Sequence, residues 1–300
     1  FYHIKYSVMK RLYFLSLVAS LFFISNTYAQ ELSPYVEVGD YAEHISQATK
    51  KVSENLKAKG FEVIGVYNPG GKPNLKVVVF TREDLQQVTL KVSDRGALAS
   101  ALKVGLKSNA SGTTISYLNP DYLFNAYLRS DYPTYEAQLK KISQDVSSAL
   151  SSLGSLNKPF GGSVSVKELR KYQYKIMMPY FTDPVKLKTF NSFEEGVEKI
   201  SSNLEKEKGN TKMVYKMIFS GEKVAVFGVG LHDKNKGEAH FLPIIGEEHL
   251  AAMPYEIILQ GNQATMLHGR YRIALHWPDL TMGTFMKIMS TPGDIEDMLE

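Results

Sequence analysis

Lys76-Val77-Val78-Val79-Phe80 and Lys223-Val224-Ala225-Val226-Phe227 are one phrase written twice, 147 residues apart, and their reading decides the fold. Each is a lysine followed by a short β-branched and aromatic run, the pattern of a strand buried on both faces. Upstream, Ser53-Glu54-Asn55-Leu56-Lys57-Ala58-Lys59-Gly60 lies against Ser201-Ser202-Asn203-Leu204-Glu205-Lys206-Glu207-Lys208-Gly209 at an offset of 148 or 149. Downstream, Ala101-Leu102-Lys103-Val104-Gly105-Leu106 lies against Pro254-Tyr255-Glu256-Ile257-Ile258-Leu259, and Asn109 against Asn262, at an offset of 153. Three blocks in one order at nearly constant offset imply a tandem pair, and two copies are too few for a solenoid.

Each copy reads as strand, helix, several strands, helix. Ile45, Ala48, Val52 and Leu56 recur at helical spacing before Gly60. Phe193, Val197, Ile200 and Leu204 do the same, opened by Ser192 with Glu195 three residues on, a capping box. Strands are expected at 76–80, 87–92, 103–106 and 113–117 in the first copy, and at 224–231, 239–245, 255–260 and 264–275 in the second. The turns 108–112 and Gly261-Asn262 tolerate positive φ and suit hairpins. Leu139, Ile142, Val146, Leu150 and Leu153 mark a closing helix, and Met282, Met286 and Met289 are expected as helix core in the second copy. Strands and helices segregate rather than alternate, so the fold class is α+β with antiparallel sheets. The expected layout is a first repeat over 30–150, a Ser/Gly/Asn/Pro-rich linker over 151–166 and a second repeat over 167–300.

The hairpin carries a resemblance. Ala101 to Tyr122 runs from a small-residue segment through a strand, a Gly/Asn turn and a second strand to Asn119-Pro120-Asp121-Tyr122. In the second copy Leu250-Ala251-Ala252-Met253-Pro254-Tyr255 keeps the Pro-strand part, and His268-Gly269-Arg270-Tyr271 replaces Asn-Pro-x-Tyr. This resembles the bacterial and archaeal domain-of-unknown-function family number 302. The resemblance implies a strand, a helix, a curved antiparallel sheet and a closing helix, as in the repeat of TATA-binding protein. It implies no activity and transfers no site residue.

Composition bounds the function. Lys10 and Arg11 follow Met9, Leu12 to Ile24 is apolar apart from two serines, and Ser25 to Ala29 is a polar stretch ending in a small residue. That order predicts a leader and cleaved signal peptide over 1–29, and a periplasmic or extracellular product. The apolar run is too short to span a bilayer of roughly 30 Å at ~1.5 Å per residue. Phe1 to Val8, before Met9, read as upstream sequence. There is no Cys, which excludes thiol catalysis, Fe–S clusters and thiolate zinc sites. Of 35 Lys and Arg, three lie in the leader, so the remainder exceeds the 31 acids by one and offers nucleic acid no field. No GxSxG elbow or P-loop is present.

Five of seven histidines fall in the second copy. On a strand, Glu238 and His240 would share a face. With Glu248 and His249 on the following turn they would suit zinc or another divalent ion, the basis of a metal-assisted hydrolase reading. From Leu267 to Trp277 the odd positions are Leu267, Gly269, Tyr271, Ile273, Leu275 and Trp277; the even ones include His268, Arg270, Arg272 and His276. On a strand this alternation forms a cationic row able to hold a carboxylate or phosphate. The competing reading is a plain amphipathic strand whose arginines pair with neighbours such as Glu256. The aromatic group Tyr117, Tyr122, Tyr127, Tyr132 and Tyr135 is expected to pack the closing helix. The favoured function is an exported, non-enzymatic binding module for a small or anionic molecule, its site in the second repeat and no cofactor required. A partner-binding structural protein is the third reading.

Overall fold

The doubled phrase forms the two most buried strands. In the computed structural model, which describes residues 30–300, Lys76–Phe80 lies within β4 and Val224–Phe227 within β11. The expected leader and signal peptide lie outside the described residues. The first half contains β1 (Glu31–Leu32), β2 (Tyr35–Tyr41), α1 (Ile45–Ala58), β3 (Glu62–Tyr67), β4 (Leu75–Thr81), α2 (Glu83–Thr89), β5 (Leu102–Asn109), β6 (Gly112–Leu118), α3 (Pro120–Leu128) and α4 (Tyr132–Leu150). After β7 (Lys158–Phe160), β8 (Val164–Ser165) and α5 (Val166–Leu169), the second half runs β9 (Val185–Thr189), α6 (Phe193–Glu205), β10 (Thr211–Phe219), β11 (Val224–Leu231), α7 (Glu238–Ile245), β12 (Tyr255–Gln260), β13 (Gln263–Met266), α8 (Gly269–His276), α9 (Met282–Phe285) and α10 (Thr291–Leu299).

The fold is α+β. The first sheet has order β3-β4-β5-β6-β2-β7 and the second β10-β11-β12-β13-β9, with antiparallel pairings throughout. Apart from β7, both halves set their strands in the order second, third, fourth, fifth, first. Helix α1 buries Ile45, Ala48, Val52 and Leu56 and ends at Gly60, whose φ of 78° suits glycine. Ser192 caps α6 by accepting from the Glu195 amide at 3.1 Å, while the Glu195 carboxylate accepts from the Asn191 amide at 2.9 Å.

Residues Glu31–Glu300 form one compact unit. Edge strands β3 and β10 meet where a Cβ on Gly65 would stand 2.7 Å from the Val214 carbonyl oxygen. The 3-10 segment Glu247–Ala252 packs on β5, β4 and β6, while its counterpart Gly96–Ser100 packs on β11. The stretch expected as a linker is tied down: β7 pairs with β2, and β8 pairs with β1. Among the described residues no helix is long and apolar enough to cross a membrane.

Four expectations need correction. The strand expected at 87–92 is instead helix α2, which buries Leu85, Val88 and Thr89 at helical spacing. The one expected at 239–245 is α7, with Glu238, Phe241, Leu242 and Ile245 inward. The long strand 264–275 stops at Met266 and gives way to α8. Short apolar runs fit both periods, and tertiary packing chose the helix. The methionines expected in the core, Met282, Met286 and Met289, are 51–57% exposed.

Candidate functional site

Where α8 begins, His268 accepts from the Arg270 amide through Nδ1 at 3.2 Å. Asn119 does the same for Asp121 at the start of α3, through Oδ1 at 3.1 Å. The two stretches are therefore equivalent helix starts. On a helix the expected cationic row dissolves. Arg272 and His276, four apart, both turn inward and are 1% exposed, while Arg270 faces solvent. Burial lowers the His268 pKa.

Arg272 belongs to a sealed charge cluster between the halves. Lys103 on β5 donates to Glu256 Oε1 on β12 at 2.5 Å. Arg272 Nη2 donates to the carbonyls of Ala252 (2.5 Å) and Pro254 (2.7 Å) and to Glu256 Oε2 (3.3 Å). Its guanidinium lies 3.7 Å over the Tyr255 ring. Lys103 and Glu256 occupy matched positions of the duplicated blocks, so the bridge joins like to like. The pairing of Arg272 with Glu256 named as the plainer reading is present, in the core rather than on the surface. Burial, and then Arg272, pull the Lys103 pKa down against Glu256. Burial also opposes the Arg272 charge, but Glu256 and the surrounding tyrosines hold its pKa above the ordinary value. His276 stands 3.4 Å from the Tyr35 hydroxyl and 3.3 Å from that of Tyr127, and burial with the nearby cations pushes its pKa well below the usual range.

The metal constellation does not assemble. On α7, Glu238 and His240 point about 200° apart, two residues at ~100° each. Glu238 is fully buried and accepts from Tyr67 Oη (3.0 Å) and the Gly70 amide (2.8 Å) of the first half. Burial pushes its pKa up to about 7 against those two bonds. His249 is walled by Tyr35, Phe160 and Trp277, with ring centroids 5.0–5.7 Å away, and Glu248 Oε1 is 3.4 Å from its Nδ1. Among the described residues no three His, Asp or Glu side chains stand together as a metal site.

The concavity that does open beside these residues lies on the outer face of α8. It is a cavity of about 210 Å³ lined by Ile273 and Ala274 of α8 and Trp277 just past its end, by Tyr174, Ile176 and Met178 of the preceding segment, and by Leu280, Met282 and Phe285. Among the described residues, Arg270 and Lys175 are its charged lining residues, and no carboxylate or imidazole contributes. Trp277 Nε1 is buried, without a hydrogen-bond partner among the described residues. Ile176 and Met177 are 90% and 94% exposed beside it, extending an apolar patch of the kind that marks an interaction site. On the matching face of α3, Phe124 and Leu128 are as buried as their equivalents Ile273 and Trp277, but Asn125 is 2% exposed and accepts from Arg170 Nε at 2.9 Å, whereas its equivalent Ala274 is half-buried. A larger concavity of about 690 Å³ near α6 and α10 mixes Lys188, Lys199 and Lys208 with Glu195, Asp297 and Glu300, without a consistent sign.

No family model matches the chain, and no curated protein matches it. Among solved structures, the crystal structure of uncharacterized conserved protein DUF302 from Bacillus stearothermophilus aligns with 40% of this chain and 98% of that chain, at 15% identity and a TM-score of 0.33. The chain resembles a DUF302 protein. That DUF302 protein is described as uncharacterized, so the meaning of the cavity rests on the residues that line it here. Of the residues expected to bind ligand, Arg270 alone reaches the cavity; His268, Arg272 and His276 serve the helix cap and the core. Lys175, Ile176, Met178, Trp277, Met282 and Phe285 were not expected to form a site. The signal they left was the sole Trp of the chain at a helix end, and an apolar run, Ile176-Met177-Met178, in an otherwise polar stretch.

Proposed function

We propose that the chain is an exported, non-enzymatic binding module, built by duplication, that holds a small and largely apolar molecule in the cavity on α8. The observation that carries this reading is the cavity itself: an apolar pocket with two cations at its lining, reached at the half-buried Ala274, whose counterpart Asn125 in the first half is buried and bonded to Arg170. The shared strand order supports duplication followed by specialisation of one half. Binding is favoured over catalysis because the groups with perturbed titration, Lys103, Glu238 and His276, are sealed in the core and none of them lines the cavity. The signal-like segment before Gln30 supports export to the periplasm or beyond.

Trp277 is the only tryptophan, so its emission reports on the cavity without a label. Titrating the full chain with 1-octanol is expected to shift that emission saturably. Ala274→Phe, filling the cavity from a half-buried lining position, is expected to weaken the response at least about tenfold by occupying the space of the apolar chain. No saturable shift in the parent chain would remove this reading.

A further inference from the structure

Arg270 and Lys175 line the cavity with no acid among its lining residues, and among the described residues neither has an ion-pair partner. Both are exposed, and the Lys175 ammonium sits 5.2 Å from the Tyr174 ring centroid, which steadies it beside the opening. Apart from Tyr174 the rest of the lining is apolar, and among the described residues the buried Trp277 Nε1 has no hydrogen-bond partner. From Arg270 to the end of α8 at His276 the helix rises about 9 Å at ~1.5 Å per residue, and Trp277 follows directly. A volume of about 210 Å³ is somewhat above the ~150 Å³ of an apolar cavity that binds benzene, room for one medium-length apolar chain.

We propose that the ligand is an anionic amphiphile with a single medium-length apolar chain: the chain fills the cavity, and its carboxylate or phosphate head is held at the rim by Arg270 and Lys175. The inference rests on the cavity being the binding site. Size selects against two-chain lipids, which exceed the volume, and the paired cations select the sign of the head. Arg270 supplies a fork for two oxygens, and Lys175 a point charge on the opposite element.

The test is a Trp277 emission titration of the full chain with octanoate, 1-octanol and octylamine, at neutral pH and moderate salt. Octanoate is expected to bind about five- to tenfold tighter than octanol, as two exposed charge contacts allow, and octylamine weaker than octanol. Arg270→Gln and Lys175→Gln, both surface changes, are each expected to erase about half of the octanoate preference, measured as the ratio to octanol within the same variant. Equal affinity for all three probes overturns the ionic head while leaving the cavity reading standing. A preference for octanoate that survives both substitutions also overturns it. No response to any probe removes both. Flotation with phosphatidylglycerol vesicles separates a free amphiphile from a lipid surface: binding to vesicles without a response to octanoate would overturn the proposal in favour of a membrane headgroup.

Discussion

Glu256→Gln keeps the shape of the side chain and deletes its charge, leaving Lys103 and Arg272 buried at 3% and 1% exposure with no carboxylate between them. Removing one partner of a buried pair costs about 3–5 kcal/mol. An independent bound gives the same scale. Lys103 can escape by losing its proton, and holding an amine of ordinary pKa ~10.4 neutral at pH 7 costs about 4.6 kcal/mol. Burial and Arg272 already pull the Lys103 pKa down in the parent chain, and deleting Glu256 removes the group that opposes them. A base with a depressed folded pKa binds fewer protons folded than unfolded, so the variant gains stability as pH rises towards the unfolded pKa. From pH 7 to pH 9 at most about 2.7 kcal/mol of the damage should disappear, the limit set by two units at ~1.36 kcal/mol each. Lys103→Met should cost less, because Arg272 still reaches Glu256 at 3.3 Å. The double variant should be more stable than Glu256→Gln alone. Urea unfolding of all four proteins at pH 7 and pH 9, with constant m, measures these differences. A Glu256→Gln cost below about 1 kcal/mol, unchanged by pH, would mean that water already reaches the cluster.

Glu238→Gln tests the second buried carboxyl. Its folded pKa of about 7 lies above the ordinary carboxylate value, so the folded state holds the extra proton and stability falls as pH rises from about 4.5 to 7. That loss, up to about 3 kcal/mol, should be absent from the variant, so the parent-minus-variant difference should slope across that window; a flat difference would place water beside Glu238. His276 acts with the opposite sign, its depressed pKa costing stability as pH falls below about 6.5, and it cancels in that difference. Gly65→Ala should destabilise by about 1–3 kcal/mol because its Cβ would meet Val214 O at 2.7 Å, whereas Gly221→Ala, with open space around it, should stay within about 0.5 kcal/mol. Equal effects from the two glycines would show that β3 and β10 do not pack as described.

The strands built from Lys76–Phe80, Val224–Leu231 and Tyr255–Gln260 were legible because β-branched runs bounded by turns leave few alternatives. The helices at 45–58 and 193–205 were legible because caps and stripes are local. Residues 267–277 misled because their alternation fits a strand and a short helix alike. The deciding clue, His268 standing in the place of Asn119, lay in the repeat and not in the alternation. That Arg272 would be buried was not legible: arginine defaults to the surface, and its counter-charge Glu256 is shared with a second buried cation, Lys103, 169 residues from Arg272 in sequence. The cavity was legible only in part. Its location in the second half and Arg270 could be read, but segment 174–178 and residues 280–285 meet α8 only once the chain is folded.

Equilibrium dialysis of radiolabelled 1-octanol against the full chain measures the binding claim directly, by counting sites. One saturable mole per mole of chain is expected, lost when Ala274→Phe fills the cavity from a half-buried lining position while urea stability is kept. Uptake that rises without saturating, or a single site that survives in the stably folded Ala274→Phe chain, would contradict it.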